Sequence, residues 1–341
     1  MTSDLDRICE ERGIELSYIS GLGEQHVLSE DVKQALLDAL GPEREAAPRL
    51  ATIPDRCFLP DWLEHSRAWG VTVQLFGVRS ERNQGIGDFE DAARLAELFG
   101  PFGADFLGIN PVHALFLSNP NRTSPYFPSS RQFLNPLYIA PDRIPSAAET
   151  PPAREATLFR TCKHIDYVAV TQTKRRMLER AFAQGGRESD FAAFCDREEE
   201  ALEEFATFEA LSEWLSEQGH GVGWHTWPTA FRNPDTDDVI KFRQEHAGRI
   251  RFHKWLQWIA AAQLADAQRR ALDAGMRIGL YLDLAVGVAP DGAATWSNPD
   301  VYARAARIGA PADLFNVNGQ DWGLAPLKPS AQRGANSGFA R

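Results

Sequence analysis

Three apolar, β-branched runs punctuate this chain: WGVTVQLFGV at 69–78, ADFLGINPV at 104–112 and GMRIGLYLDLAVGV at 275–288. Each is rich in β-branched and aromatic residues, so each predicts a strand. Helical spacing fills the intervals. In DFEDAARLAELFGPFG, Asp88 offers an N-cap and Leu95, Leu98, Phe99 and Phe102 form a stripe. In RFHKWLQWIAAAQLADAQRRALDAG, Phe252, Trp255, Leu256 and Ile259 mark an apolar face, and Gly275 ends the helix. Strands alternating with helices predict an α/β fold with a parallel sheet, either open and doubly wound or closed into a (β/α)8 barrel.

Outside this alternation the pattern changes twice. The first forty residues predict a small helical unit: Ser29 caps a helix with Val32, Leu36, Leu37 and Leu40 on one face, and Gly41-Pro42 stops it. Between the second and third runs, residues 141–250 read as an insertion of helices. Its acidic stretch DREEEALEEF is read as a solvated helix face without function.

Composition narrows the function class. The 36 basic and 47 acidic residues leave a net charge of -11, which opposes contact with phosphate backbones and anionic lipid, so neither nucleic acid nor membrane is expected as a partner. The first thirty residues are charged throughout and hold no signal-peptide core, which points to the cytoplasm. Cys9, Cys57, Cys162 and Cys195 are far apart and form neither a CxxC pair nor a Cys/His cluster, so reduced thiols are expected and a zinc site is not.

In parallel α/β folds chemistry gathers where strands end at their carboxyl termini. Three polar segments follow the three runs: RSERNQGIGDFED, NPVHALFLSNPNRTSPYFPSSRQFLNPLY, and the part of the third run holding Asp283. GIGD lacks the GK[ST] of a phosphate-binding loop and does not complete GxGxxG, because Glu90 stands at the third glycine position. A tight turn at Gly85 and Gly87 ahead of the Asp88 cap is the better reading. His113 sits at a strand end, with a structural or substrate-orienting role. Asp283 interrupts an apolar run, and a carboxylate there is expected to face a polar pocket, since an unpaired one in the core costs several kcal/mol. In the loop, Pro125, Pro128 and Pro136 restrict the backbone around Tyr126, Phe127 and Tyr138. Stiffly held aromatic rings among Ser, Arg and Asn suit a polyhydroxylated ring, as they also suit an ordinary proline-rich surface loop.

Taken together, LFGVRSERNQGIGDFED, INPVHALF, SPYFPSSRQFLNPLYIA, GWHTWP, FHKWLQW, LYLDLAVGVAPDGAATW and GAPADLFNVNGQDWG resemble the 4-α-glucanotransferases of the amylomaltase type, glycoside hydrolase family 77. The resemblance runs from about residue 56 to about 327. It implies a (β/α)8 barrel, of which the three runs are the first strands, with the helical insertion after the second. It further implies that Tyr126 packs against the sugar beside the scissile bond, that Asp283 holds donor-sugar hydroxyls, that Asn135 helps order the SPY loop, and that Gln320 and Trp322 lie on a loop covering the glucan. The partners implied are maltooligosaccharides or other α-1,4-glucans, and the chemistry is retaining transglycosylation through a covalent glucosyl enzyme, without metal or organic cofactor.

The family carries its nucleophile in an RIDH motif after strand four, with the acid/base Glu and a third Asp after strands five and seven. No RIDH occurs in these 341 residues, so no catalytic carboxylate is identified, and the chain by itself is expected to transfer no glucan. Other readings are a non-catalytic α-glucan binder and a hydrolase of the same clan. The tail KPSAQRGANSGFAR, poor in apolar residues, reads as the product of an early stop or frameshift, and a barrel cut after three strands is expected to leave a parallel edge unpaired. The expected organisation is a helical N-terminal segment and connector (1–55), the first barrel part (56–140), the insertion (141–250), a barrel helix with strand three and the covering loop (251–327), and the tail (328–341).

Overall fold

The computed structural model describes residues 3–42, 59–144 and 156–328. The connector, Cys57 and the tail beyond Lys328 lie outside the described residues.

The N-terminal unit consists of α1 (Asp4–Glu11), a hairpin of β1 (Ser17–Ile19) and β2 (Gln25–Val27), and α2 (Glu30–Leu40). Ser29 caps α2 by accepting from the Val32 amide, and Gly41 at φ +72° ends it, as its sequence predicts. The hairpin is a departure from the purely helical expectation. It closes through the Ser20 amide to the Glu24 carbonyl (2.8 Å), with Gly23 supplying a positive φ that other residues resist. Val32 is exposed while Lys33 is buried, because the Lys33 ammonium reaches Asp6 of α1 at 2.7 Å.

After α3 (Asp61–Glu64) comes the parallel sheet: β3 (Gly70–Val73), α4 (Phe89–Phe99), then β4 (Phe106–Ile109). The small antiparallel pair β5 (His113–Ala114) and β6 (Ser130–Leu134) follows. Then come α5 (Ala156–Thr161), α6 (Tyr167–Gln184), α7 (Glu188–Glu217), α8 (Asp237–Glu245) and α9 (Ala247–Asp273). The third parallel strand is β7 (Gly279–Leu282), followed by α10 (Ala293–Ser297) and the antiparallel pair β8 (Ile308–Ala310) and β9 (Gln320–Leu324). The sheet order is β3-β4-β7, with Val71, Leu107 and Leu280 in register.

The strands are shorter than their apolar runs, for a reason that matters at the site. After β3, the Leu75 amide is taken by the Asn110 side chain at 2.7 Å, and the chain turns. After β7, the backbone of Ala285 is claimed by side chains of the β5–β6 pair rather than by a neighbouring strand.

The three runs do pair in parallel, and α4 and α9 lie together behind them in one core with Leu107, Ile109, Phe252, Trp255, Leu256 and Ile259. The α9 face is the predicted one. On α4 the fully buried side is Phe89, Ala92, Ala93 and Ala96, whereas Leu98 and Phe102 of the predicted stripe are exposed. Small alanines let the helix backbone approach its neighbours closely, which leaves the larger side chains at its margin. A second core joins α7 to Trp227, Trp296 and Phe133. The acidic stretch lies on α7, which breaks at Glu199 (φ 45°, ψ -129°), and it is not wholly solvated: Glu203 pairs with Lys254 and Glu204 is half-buried.

The GIGD segment is a turn and a cap. Asp88 and Asp91 form a reciprocal capping box on α4, and Arg82 grips Asp88 through both carboxylate oxygens (2.7 and 2.8 Å). Among the described residues no helix is long and apolar enough to cross a membrane, and no three His, Cys, Asp or Glu side chains converge as a metal site. Cys9, Cys162 and Cys195 are free thiols.

Candidate glucan-binding cleft

At the carboxyl ends of the three parallel strands lies a cleft of about 500 Å³. Its floor is Thr72 and Val73 of β3 with Gln74 just after, Gly108 and Ile109 of β4 with Asn110 just after, and Tyr281 and Leu282 of β7 with Asp283 and Leu284 just after; Tyr126 overhangs it from the SPY loop. Both hydrogen-bonding and apolar surface face the space, which suits a ligand with a hydroxylated rim and an apolar face.

Tyr126 and Asp283 meet there. The phenol donates to the Asp283 carboxylate at 3.0 Å, and this bond to an anion raises the phenol's pKa above its ordinary value. Asp283 is exposed, as are Tyr281, Leu282 and Leu284 beside it. The carboxylate thus lines a cleft of mixed polar and apolar character, and it stands just past the end of a short strand rather than interrupting a buried one.

Of the three loop aromatics expected to be displayed, only Tyr126 is. Phe127 packs on the second core with Gly323 over it, and Tyr138 is 3 % exposed, its hydroxyl accepting from Asn110 at 2.9 Å. The burial of Tyr138 pushes its phenol far above the usual range. Asn135 is also buried and not on the cleft wall. Its side-chain oxygen accepts from the Leu137 amide (3.0 Å) and its own amide bonds the Val112 carbonyl (2.9 Å), so it shapes the exit of the loop. Gln320 and Trp322 sit on β9, joined by an indole-to-amide bond of 3.2 Å, both exposed and outside the cleft lining.

The loop is held from several sides. Arg122 forms a two-pronged bond with Asp291 (2.9 and 2.9 Å) while lying 3.6 Å over the Phe116 ring. The Ser129 hydroxyl accepts from the Ala293 amide at 2.8 Å, and the Ala289 amide donates to Pro128. At the exit, the fully buried Lys174 donates to the Leu137 carbonyl (2.6 Å); burial pulls its ammonium down to about 8, against the opposing charge of Asp88. None of Arg122, Asp291 and Lys174 stands out in the sequence as a site residue. The legible signal for the cleft floor is that polar residues, Gln74 and Asn110, stand immediately after the apolar segments Val71–Val73 and Phe106–Ile109.

His113 is half-buried at the start of β5, outside the cleft lining. Its pKa falls to about 4, chiefly because burial penalises the cation and secondarily because Arg131 repels it.

The comparisons with known proteins agree on one group. A family model described as 4-alpha-glucanotransferase, glycoside hydrolase family 77, matches residues 73–340. The chain is similar to a 4-alpha-glucanotransferase of Mycobacterium tuberculosis, 41 % identical over 305 residues, covering 84 % of this chain and 41 % of that protein. Its fold is similar to the crystal structure of amylomaltase from Corynebacterium glutamicum, with a TM-score of 0.78 and 27 % identity over 97 % of this chain and 61 % of that one. It also matches amylomaltase from Streptococcus agalactiae in complex with acarbose, with a TM-score of 0.66 and 21 % identity over 79 % of this chain and 54 % of that one. The chain thus spans about two-fifths of the curated mycobacterial relative.

Proposed function

The chain belongs to the 4-alpha-glucanotransferase family, glycoside hydrolase family 77, with the amylomaltase fold, and from that premise we propose that its cleft holds a segment of an α-1,4-glucan. In the whole-length reaction one maltooligosaccharide donates a glucan segment to the 4-hydroxyl of another by retaining double displacement. In this reading Asp283 accepts hydrogen bonds from hydroxyls of the bound sugar, and Tyr126 lays its ring against the sugar's apolar face. The observation that carries it is the Tyr126–Asp283 pair at the mouth of a cleft formed by three parallel strand ends.

Gln320 and Trp322 come into play only if β9 approaches a long glucan from outside. That β9 runs beside the SPY loop, with Gly323 over Phe127, supports this extended track. The free thiols fit a reducing cytoplasm, the compartment we propose.

The polypeptide of this sequence is proposed to bind glucan without turning it over, since its 341 residues contain no RIDH. Isothermal titration with maltotriose and acarbose, together with chromatography of maltotriose incubated with the pure chain, tests both halves. Binding without new oligosaccharides is expected. Longer maltooligosaccharides in the digest would refute the second half, and absence of any binding heat with either ligand would refute the first.

A further inference from the structure

Asp283 is fixed on both sides by groups that the proposed sugar contacts do not use. On its amino side, the Asp283 amide donates to the Ile109 carbonyl at 3.3 Å, extending the β4–β7 ladder by one rung. Two residues further, Ala285 has left the sheet and both its backbone polar groups are claimed. Its N–H donates to Nε2 of His113 (3.3 Å), and its carbonyl accepts from the Arg131 guanidinium (2.9 Å), which also reaches the Val286 carbonyl (3.3 Å). His113 lies in β5 and Arg131 in β6, the two strands between which the loop carrying Tyr126 is strung. One hairpin thus carries the phenol's loop and clamps the chain that follows the carboxylate.

We infer that His113 and Arg131 are positioning residues: by holding Ala285 to the β5–β6 hairpin they set the Asp283 carboxylate at hydrogen-bonding distance from Tyr126. The tautomer follows from the geometry, since an Nε2 that accepts from an amide must carry no proton, leaving the proton on Nδ1. The ring's charged neighbours are Arg131 and Asp283. Burial, and then the Arg131 charge, keep it neutral; a hydrogen bond to the Arg131 backbone and, less, the Asp283 charge oppose them. A glutamine supplies a neutral acceptor at the same reach without titrating, whereas leucine fills the space and supplies none. The consequence for sugar binding rests on the function proposed above; the positioning itself does not.

The Tyr126 phenol is the reporter. With ring-labelled tyrosine and Tyr126→Phe to assign its signal, NMR titration of the intact chain reads how strongly Asp283 accepts from it. The wild-type phenol is expected to titrate above its ordinary value, and Asp283→Asn to bring it back. His113→Leu and Arg131→Met are expected to shift it the same way, while His113→Gln keeps the wild-type titration. Maltotriose affinity should follow, roughly tenfold weaker for His113→Leu and within about twofold for His113→Gln. A wild-type titration in both His113→Leu and Arg131→Met, each folded by near-ultraviolet circular dichroism, overturns the inference. If His113→Leu does not fold, Arg131→Met against His113→Gln decides alone: the same titration in both overturns it. A wild-type chain that shows the shifted phenol but binds no maltotriose upholds the positioning and removes the glucan reading instead.

Discussion

Tyr126 and Asp283, 157 positions apart, are joined by a hydrogen bond of 3.0 Å from phenol to carboxylate. Neither residue is buried, so the bond contributes little to folding; exposed pairs of this kind are worth well under 1 kcal/mol. Its value is in orientation. The phenol occupies one lone-pair direction of the carboxylate and leaves the others directed at the cleft.

This arrangement predicts the order of three substitutions. Hydrogen bonds to an ionised carboxylate contribute about 1.5–3 kcal/mol each, so Asp283→Ala is expected to weaken maltotriose binding roughly tenfold to a hundredfold. Tyr126→Ala, which removes a stacking face, should fall in the same range, and Tyr126→Phe, which keeps the ring, should cost about twofold to fivefold. Melting temperatures should stay within about two degrees of wild type for all three, as expected of surface changes. Titration calorimetry checks the ranking; a Tyr126→Phe variant weaker than Tyr126→Ala would contradict it.

The Arg122–Asp291 pair sits further from the cleft and is expected to act on stability instead. The guanidinium is planar, grips both oxygens and stacks on Phe116, none of which an ammonium reproduces. Arg122→Lys should therefore lose nearly as much as Arg122→Ala, on the order of 1–3 kcal/mol in urea unfolding. A lysine variant indistinguishable from wild type would show that only the charge matters there.

What the sequence made legible was local. The caps at Ser29 and Asp88, the stop at Gly41, the α9 face and the strand character of the three apolar runs all follow from periodicity and side-chain chemistry within a few residues. The cleft's position followed too, because strand ends collect polar residues. What stayed hidden depends on partners far away in the chain. Arg122 and Asp291 are 169 positions apart, and nothing near either one announces the other. The strands stop early because Asn110, His113 and Arg131 intercept backbone groups that a strand would otherwise have paired. Tyr138 looks like a displayed aromatic in sequence and is core in structure, since its hydroxyl finds a buried amide. The hairpin near the amino terminus was missed because three-residue strands carry too little pattern to stand out against helices on either side.

Gly87 gives a sharp test of the turn ahead of α4. A Cβ built there would lie 2.0 Å from the Leu75 carbonyl oxygen and 2.8 Å from the Val78 side chain. Neither neighbour can yield easily, because Leu75 is fully buried and its amide is held by Asn110. Gly87→Ala is expected to destabilise by about 2–4 kcal/mol, the range of forced overpacking. Gly77→Ala, whose Cβ meets only the Gln74 side chain at 4.0 Å, should be nearly neutral. Equal melting temperatures for the two variants would show that the turn is looser than its packing indicates.

Glu209 carries a prediction about pH. It lies on α7, 4 % exposed, with one carboxylate oxygen unpartnered and the Leu117 backbone as its hydrogen-bonding neighbour. Burial pushes its carboxyl up to about 8, so the folded state holds this proton through a range in which the unfolded chain, at the ordinary value of 4.5, has released it. Between those two values the folded state binds more protons, and stability falls as pH rises. The loss accumulates from pH 4.5 upward and levels off above about 8, reaching on the order of a few kcal/mol. Glu209→Gln removes the titration while keeping the shape. In urea unfolding at pH 5, 7 and 9, the variant should gain on the wild type step by step as pH rises, with most of the difference present by pH 8. A stability difference that stays constant across that series would mean that Glu209 is ionised in the folded protein, with water or a cation satisfying the oxygen that the described residues leave alone.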